Sequence, residues 1–449
     1  MIPIDGYPIL TAAAMRAAEA ACGDAAVLME RAGAAIATAI ARLAGQSTIL
    51  ILCGPGNNGG DGYVAARLLA AAGHVVRIAA DGEPRSPLAI AARQRWTGPV
   101  EPLATASPAP VLVDAMFGTG LTRSLDDRVA MALHRLAGAA KLGIAIDLPS
   151  GVATDDAAVL TEPPRFDLTL ALAAPKPAHV LQPAARYAGL VRMLDIGVAV
   201  AGDARLLTRP VLPEPGPDSH KYSRGMVAVV GGDMAGAAEL ASVAAMRAGA
   251  GYVLHLGEGQ GPPHALVRRR WSPDALHDPR IGAVVVGPGL GRGNDAGRRL
   301  ATAIDSGHPL VIDGDALHLL DVAAPRTAAT ILTPHAGEFT HLFGKLSGSK
   351  IEATRMAARR ADAVIVHKGP DTVIAAPDGR VTVSAGASDW LSAAGTGDVL
   401  AGATGAMLAA GLPPFEAAAA AVWLHCAAAA CCGRSFIADD LAAALSRVQ

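Results

Sequence analysis

The fold can be predicted from the segment Thr48-Ile-Leu-Ile-Leu-Cys-Gly-Pro-Gly-Asn-Asn-Gly-Gly-Asp-Gly62. Its apolar run, Thr48–Cys53, is continuous rather than alternating, which predicts a strand buried on both faces. A glycine-rich loop over 54–62 and an alanine-rich helix over 63–72 follow it. A buried strand, a glycine loop and a helix in this order are typical of a parallel sheet with helices on both sides.

The same arrangement recurs in both halves of the chain, so we predict an α/β fold built from two three-layer αβα domains. Further short runs rich in Val and Ile are 111–113, 144–146, 226–230, 283–286, 310–312 and 363–366. The segment 207–220 contains four prolines, which fit poorly inside helices and cannot donate to a sheet. We therefore predict domains at 1–210 and 211–449.

Composition excludes several classes of protein. The 449 residues include 38 Lys and Arg against 40 Asp and Glu, so a strongly basic nucleic-acid binder is excluded. The five cysteines form no C-x-x-C pair, which argues against a zinc ribbon or a disulfide framework. The N-terminus lacks the pattern of a signal peptide, and the apolar stretch 417–432 is too short to cross a bilayer. We expect a cytoplasmic protein with no membrane partner, and a buried helix over 417–432.

Polar side chains mark three strand ends in the first half. Asn57, Asn58 and Asp61 follow the first strand, Asp114 ends another before Gly118-Thr-Gly120, and Asp147 and Ser150 end a third. Carboxyl ends of parallel strands meet at one sheet edge, so these oxygens predict a site for a cation or an oriented ligand. The Gly54–Gly62 loop also matches G-x-G-x-x-G weakly, with Asp81 after the next strand. A tight turn held by Asn and Asp side chains is the alternative for this loop.

In the second half the most informative segment is Ala394-Gly-Thr-Gly-Asp-Val-Leu-Ala-Gly402. Gly395 and Gly397 let backbone N–H groups converge at a helix N-terminus, which suits a transferring phosphoryl group. Asp398 lies beside them as a base for a hydroxyl. A simple helix cap is the alternative. No P-loop motif is present, so we expect the strand-end loops 287–293, 333–338 and 367–372 to hold phosphates.

These motifs resemble those of the bifunctional repair enzymes for hydrated NADH and NADPH, in which an epimerase is fused to an ADP/ATP-dependent dehydratase. Segments 28–33, 54–62, 114–123 and 147–151 are similar to the epimerase half, and 287–291, 333–338, 368–372 and 394–402 to the dehydratase half. The resemblance implies a Rossmann-like N-terminal domain and a ribokinase-like C-terminal domain.

For the first half the resemblance implies a dinucleotide pocket and a potassium site. The implied potassium ligands are Asn58, Asp114 and Ser150, and Asp147 is the candidate for proton transfer at the hydroxyl-bearing carbon. The implied contacts of the hydrated dinucleotide are Asn57, Asn58, Gly59, Gly60, Asp61, Gly118, Thr119, Gly120, Leu121, Thr122, Arg123, Ser124 and Asp147.

For the second half the resemblance implies a nucleotide site beside a site for the hydrated dinucleotide. Asp398 would take the hydroxyl proton as the hydroxyl is phosphorylated, with Mg2+ on the phosphates of ADP or ATP. The implied nucleotide contacts are Lys368, Gly369, Pro370, Asp371, Thr372 and Gly397, and the implied contacts of the dinucleotide are Ala237, Gly289, Gly291, His335 and Asp398. For His335, a hydrogen bond within its own turn is the alternative.

The resemblance thus implies a bifunctional enzyme that acts on hydrated NADH and NADPH (NADHX and NADPHX), and we expect a homo-oligomer. Two other functions remain open from the sequence. One is a small-molecule kinase with a regulatory N-terminal domain, and the other is a dinucleotide-binding sensor without turnover.

Overall fold

The computed structural model describes residues 1–449, which form two compact units, Met1–Leu206 and Leu207–Gln449. The predicted boundary between residues 210 and 211 lies inside the proline-rich segment that opens the second unit. Both units combine a largely parallel sheet with helices, so the predicted α/β class is confirmed.

The first unit contains eight strands and six helices. The strands are β1 (Ile49–Cys53), β2 (Val76–Ala80), β3 (Val100–Pro102), β4 (Val111–Ala115), β5 (Leu142–Ile146), β6 (Leu168–Leu172), β7 (Leu190–Leu194) and β8 (Ala204–Leu206). The helices are α1 (Ala12–Ala21), α2 (Ala25–Ala44), α3 (Asn57–Ala71), α4 (Pro87–Gln94), α5 (Asp127–Ala139) and α6 (Pro177–Val180).

Seven of these strands form one parallel sheet in the order β3-β2-β1-β4-β5-β6-β7. Alternate residues of β1 enter two separate cores: Ile49 and Ile51 pack with residues of α2 and α3, and Leu50 and Leu52 pack with residues of α5. The continuous apolar run therefore reflects a sheet buried on both faces, as predicted.

The second unit contains nine strands and eight helices. The strands are β9 (Met226–Val230), β10 (Tyr252–Leu256), β11 (Val267–Arg269), β12 (Ile281–Val286), β13 (Leu310–Ile312), β14 (Thr330–Leu332), β15 (Val364–His367), β16 (Thr372–Ala375) and β17 (Val381–Ser384). The helices are α7 (Ala235–Arg247), α8 (Asn294–Asp305), α9 (Gly314–Leu319), α10 (Ala336–Phe343), α11 (Lys350–Ala361), α12 (Thr396–Ala409), α13 (Pro414–Cys432) and α14 (Ala438–Ala444).

The sheet of the second unit is mixed, whereas the sequence predicted a parallel one. Its nine strands follow the order β11-β10-β9-β12-β13-β14-β15-β16-β17, and β16 pairs antiparallel with both β15 and β17. The connection from β15 to β16 contains only residues 368–371, which is too short for the crossover that a parallel pair requires. That short connection carries most of the predicted nucleotide contacts.

Helix α13 is the one helix whose length and composition alone would allow it to cross a membrane. It begins at Pro414, earlier than the apolar stretch considered from the sequence. Its buried residues, including Ala421 and Leu424, belong to the core that also contains α7 and α12. Its place in this core agrees with the predicted buried helix.

The predicted loop over 54–62 is mostly helix, because α3 begins at Asn57 rather than at Tyr63. Close backbone contact explains this difference. A Cβ atom on Gly54 would lie 1.8 Å from the carbonyl oxygen of Met116, and one on Gly59 would lie 1.9 Å from that of Gly54. These glycines therefore allow the first turn of α3 to pack directly on the ends of β1 and β4.

Candidate active sites

In the first unit, two predicted potassium ligands lie in direct contact at the carboxyl edge of the sheet. Asp114 lies near the end of β4 and is fully buried. Its Oδ1 accepts hydrogen bonds from Ser150 Oγ at 2.7 Å and from Met116 N at 3.1 Å, and its Oδ2 accepts one from Ser150 N at 2.8 Å. Burial raises the pKa of Asp114 to about 6, because no cationic side chain offsets the cost of desolvating the carboxylate.

The third predicted ligand, Asn58, lies close to Gly118 and Asp147. Its Nδ2 donates to the carbonyl oxygen of Ile146 at 3.3 Å. A Cβ atom on Gly118 would lie 2.9 Å from Asp147 Oδ2 and 3.3 Å from Asn58 Oδ1. The structure therefore brings together residues from three segments that are distant in the sequence.

Asp147, the predicted proton-transfer group, forms a buried ion pair that sequence reasoning missed. Lys176 Nζ lies 2.5 Å from Asp147 Oδ1 and also donates to the carbonyl oxygen of Leu172 at 2.7 Å. Only 1% of the Lys176 side chain is exposed. Asp147 has a φ of 63°, a left-handed conformation that is uncommon for a residue other than glycine.

His179 completes this arrangement. Its Nδ1 accepts a hydrogen bond from the backbone N–H of Lys176 at 2.8 Å, so its Nε2 carries the proton and donates to the carbonyl oxygen of Asp147. Burial, together with the charge of Lys176, lowers the pKa of His179 to about 4. His179 is therefore neutral at pH 7 and fixes the backbone on both sides of the ion pair.

Five of the predicted dinucleotide contacts line one of two cavities. Asn57 and Asp61 line a cavity of about 340 Å³ together with Glu19 of α1. Burial, with the negative charges of Asp147 and Glu19, raises the pKa of Asp61 well above its usual value. A smaller cavity of about 120 Å³ is lined by Leu121, Arg123 and Ser124, and also by Asp81 and Arg85.

Eight of the thirteen predicted contacts line neither of these two cavities: Asn58, Gly59, Gly60, Gly118, Thr119, Gly120, Thr122 and Asp147. Gly59 packs against the carbonyl group of Gly54. A Cβ atom on Gly60 would lie 2.5 Å from the Met29 side chain. Gly59 and Gly60 thus have a packing role, and their contact with a dinucleotide stays a prediction.

In the second unit, five of the six predicted nucleotide contacts line one cavity of about 420 Å³: Lys368, Gly369, Pro370, Thr372 and Gly397. The rest of the lining is largely apolar and includes Leu391, Leu400 and Val422, which suits the flat face of a nucleobase.

The sixth, Asp371, does not line this cavity. It is an ion-pair partner of Lys350, whose Nζ lies 2.6 Å from Asp371 Oδ1 and also donates to the carbonyl oxygens of Asp371 and Lys368.

The N-terminus of α12 closes one side of the cavity. Its N-cap is Gly395, with a φ of 85° and no side-chain cap. The Thr396 hydroxyl donates to the carbonyl oxygens of Leu391 and Ala393 instead of capping the helix. Side-chain capping, the alternative considered from the sequence, is therefore not observed. The first N–H groups of α12 lack partners within the helix and are available to an anion.

Asp398 follows Gly397 and lies among charged groups at this helix end. Burial, together with the negative charge of Asp313, raises the pKa of Asp398 to about 7. A carboxyl group with that pKa is suited to accept a proton near neutral pH.

Asp313 itself follows β13 and was not singled out from the sequence. It accepts hydrogen bonds from Lys368 Nζ at 2.7 Å and from Thr333 Oγ1 at 2.6 Å. The available signal was its position directly after a predicted strand.

The predicted dinucleotide contacts Ala237 and Gly289 are neighbours, because a Cβ atom on Gly289 would lie 3.0 Å from Ala237 Cβ. Gly291 donates its N–H to Asp315 Oδ2 at 3.0 Å. His335 caps α10, and its Nδ1 accepts from the N–H groups of Gly337 and Glu338. The local role considered for His335 is thus present, and its contact with substrate stays a prediction.

Comparisons with known proteins match both units. A family model described as NAD(P)H-hydrate dehydratase matches residues 227–448, and one described as YjeF-related protein N-terminus matches residues 25–178. The bifunctional NAD(P)H-hydrate repair enzyme Nnr of Salinibacter ruber is 35% identical to this chain. The alignment has 528 positions, including gaps, and covers 98% of this chain and 96% of the relative. The protein of the same name from Pyrobaculum aerophilum is 35% identical over 94% of this chain and 93% of the relative.

Among solved structures, a ribokinase-like superfamily protein from Enterococcus faecalis is similar with a TM-score of 0.50 and 23% identity, over 56% of this chain and 96% of that one. This likeness concerns the fold alone and agrees with the predicted ribokinase-like architecture. The full-length relatives establish more than the fold, since they align with both units in one chain. The protein belongs to the family of bifunctional NAD(P)H-hydrate repair enzymes.

Proposed function

We propose that this protein repairs hydrated NADH and NADPH with two active sites. The domain over residues 1–210 interconverts the R and S epimers, and the domain over 211–449 dehydrates the S epimer to NAD(P)H at the expense of ADP or ATP. The observation that carries the proposal is the alignment of bifunctional NAD(P)H-hydrate repair enzymes with 98% of the chain, across both units.

In the dehydratase site, Asp398 accepts the proton of the ring hydroxyl while the hydroxyl oxygen attacks the terminal phosphorus of the nucleotide. The bond from that phosphorus to its bridging oxygen breaks, and the shortened nucleotide leaves. Phosphate is a better leaving group than hydroxide, so it then departs from the ring carbon, and loss of a proton from the neighbouring ring carbon restores the double bond of the nicotinamide ring. The N–H groups at the start of α12 and the ammonium group of Lys368 stabilise the phosphoryl oxygens. The pKa of about 7 suits Asp398 to this proton transfer.

The nucleotide enters as its magnesium complex, with the base in the apolar part of the 420 Å³ cavity and the phosphates toward Lys368 and Gly397. Magnesium arrives on the phosphates as part of this substrate.

In the epimerase site, Asp147 acts at the hydroxyl-bearing carbon beside the ring nitrogen. Its carboxylate accepts the hydroxyl proton as the carbon–nitrogen bond breaks, and the proton is returned to the ring nitrogen. The ring nitrogen then attacks the other face of the carbonyl group, its proton passes through the Asp147 carboxylate to the carbonyl oxygen, and the centre is inverted. The Lys176 ammonium group at 2.5 Å holds the carboxylate in place during these steps.

The residues Asn58, Asp114 and Ser150 fit a potassium ion. Asp114 is fully buried with hydrogen bonds but no cationic partner, which is the electrostatic setting that a bound cation would offset. Amide, hydroxyl and carboxylate oxygens are the donors that a large hard cation prefers. When bound, potassium would neutralise Asp114 and order the loops that contain Asn58 and Ser150.

We place the enzyme in the cytoplasm as a homo-oligomer that binds neither nucleic acid nor membranes. The near-neutral net charge of −2 supports the absence of a nucleic-acid partner, and the five free cysteines support a reducing compartment. Light scattering after size-exclusion chromatography tests the oligomeric state.

One assay tests the proposed function. A mixture of R and S hydrates of NADH is incubated with the protein, with and without ATP and Mg2+, and the products are separated by chromatography. We expect full conversion to NADH with nucleotide, and a shift between epimers without it. Binding without conversion would favour the sensor, and phosphorylation of sugars or vitamin precursors would favour the small-molecule kinase.

A further inference from the structure

Asp313 is a buried carboxylate in the second unit that lies outside every motif identified in the sequence. It is 2% exposed and follows β13 at the carboxyl edge of the sheet. Its Oδ1 accepts two hydrogen bonds, from Lys368 Nζ at 2.7 Å and from Thr333 Oγ1 at 2.6 Å. A carboxylate with two such short bonds and little exposure has a fixed orientation.

The partner of Asp313, Lys368, is held beside the N-terminus of α12. A Cβ atom on Gly397 would lie 3.3 Å from Lys368 Nζ and 3.9 Å from Asp313 Oδ2. Burial alone would lower the pKa of Lys368, but the carboxylates of Asp313 and Glu338 raise it on balance. Asp313 therefore keeps an ammonium group charged at the position where Gly397 offers its N–H to a phosphoryl group.

Four charged groups face Asp398 from the surrounding elements: Asp313, Asp315, Glu338 and Lys368. Asp315 is bound to Gly291 N and to Arg292 Nε at 2.9 Å, and Glu338 is bound to His335 N at 2.8 Å. Lys368 lies 2.7 Å from Asp313 but 4.0 Å from Glu338. Asp313 is thus the carboxylate that both faces Asp398 and binds the nearby cation directly.

We propose that Asp313 is a positioning residue of the dehydratase site, which holds Lys368 at the phosphoryl position and withholds its positive charge from Asp398, so that Asp398 remains a base near neutral pH. This inference rests on the proposed dehydratase function. The two carboxylates then have separate roles: Asp313 binds the Lys368 ammonium group, and Asp398 accepts the proton.

The test is the pH dependence of dehydration in the full chain with saturating S-NADHX, ATP and Mg2+. We expect the wild-type rate to fall below pH 7 as Asp398 becomes protonated. Asp313→Asn removes a negative charge that disfavours ionisation of Asp398 and also frees Lys368 to favour it. Both changes lower the pKa of Asp398, so the acid limb moves about one pH unit lower and the plateau rate falls.

Two further variants separate charge from structure. Thr333→Val removes the second hydrogen bond of Asp313 without changing its charge, so its acid limb remains at the wild-type position. Asp313→Glu restores the charge and returns the limb toward the wild-type position. If the acid limb of Asp313→Asn were unshifted, as in Thr333→Val, the inference would be wrong.

A second measurement does not depend on turnover. Aspartate labelled with 13C at the carboxyl group is titrated by NMR, and the Asp398 signal is assigned by its absence in Asp398→Asn. We expect its midpoint near pH 7 in the wild type and lower in Asp313→Asn. Equal midpoints would overturn the inference, whereas the expected shift in a protein that does not consume S-NADHX would overturn the proposed function alone.

Discussion

The two units each place a lysine beside a buried aspartate at the carboxyl edge of their sheet, but the two pairs have different roles. In the first unit Lys176 binds Asp147, the residue proposed to transfer the proton, at 2.5 Å. In the second unit Lys368 binds Asp313 at 2.7 Å and leaves the proposed base, Asp398, without a direct cationic partner. The same pair therefore holds the reacting carboxylate in one site and sits beside it in the other.

This difference has an electrostatic consequence. A half-buried carboxylate beside a second carboxylate gains basicity, because burial disfavours its charged form and the neighbouring negative charge disfavours it further. Asp398, with a pKa of about 7, is in this position. Four experiments test this difference between the two sites.

The largest effect is expected from removing the base. Asp398→Asn should lower the rate of S-NADHX dehydration by about 10²–10⁴-fold, because general bases contribute on this scale. Epimerisation, measured by chromatography without nucleotide, should be unchanged. The reciprocal variant, Asp147→Asn, should abolish enzymatic epimerisation while S-NADHX is still dehydrated. Loss of both activities in either variant would contradict two separate sites.

The next largest effect should come from breaking the buried pair of the first unit. Lys176→Met leaves Asp147 buried without its counter-charge, and removal of one partner from a buried pair costs about 3–5 kcal/mol of unfolding free energy. We expect a lower urea midpoint for the first unit and a loss of epimerase activity. The double variant Lys176→Met/Asp147→Asn should recover much of the stability but no activity. If the double variant were as unstable as the single one, Lys176 would act through packing rather than charge.

A smaller effect is expected at the nucleotide segment. Lys350 binds Asp371 and the backbone carbonyl oxygens of this turn, so Lys350→Met removes the support of residues 368–371. We expect the KM for ATP to rise on the order of tenfold, since hydrogen bonds to charged groups contribute about 1.5–3 kcal/mol. The kcat should change little. Lys345→Met, at an exposed position shortly before α11, is the matched control and should retain the wild-type KM.

The smallest effect is expected from the proposed potassium site. When Li+ in the buffer is replaced by K+, the melting temperature of the first unit should rise by roughly 2–4 °C, because a ligand that binds only the native state stabilises it. Asp114→Asn should abolish this dependence on the cation. A shift of equal size in Asp114→Asn would show that potassium acts elsewhere.

The sequence was most informative where function lies in a contiguous segment. Lys368, Gly397 and Asp398 were predicted because a strand end and a helix start fix their backbone positions locally. Their partner Asp313 was missed, since it lies 55 residues from Lys368 and only the folded sheet, in which β14 lies between β13 and β15, brings the ends of these strands together. Lys176 was missed for a similar reason, because a lysine between two prolines is typical of an exposed turn.

The start of α3 shows a second limit. Asn57 to Gly62 has the composition of a loop, yet it is helical because its glycines meet backbone groups of the neighbouring strands. Local propensity disfavours glycine in a helix by up to about 1 kcal/mol per residue, and close packing overrides that preference here. The antiparallel β16 was likewise unpredictable from its apolar pattern, since the direction of a short strand depends on the length of the connection before it.

The contact of Gly54 with Met116 and of Gly59 with Gly54 also limits how the first unit can move. Three segments of backbone meet there with no side chain between them, so we expect this junction to move little. We expect the motions that admit and release a bound dinucleotide in the segment 118–124, part of which lines the smaller cavity. If the junction is rigid and the segment 118–124 moves, the exchange of substrate and product depends on that one short segment.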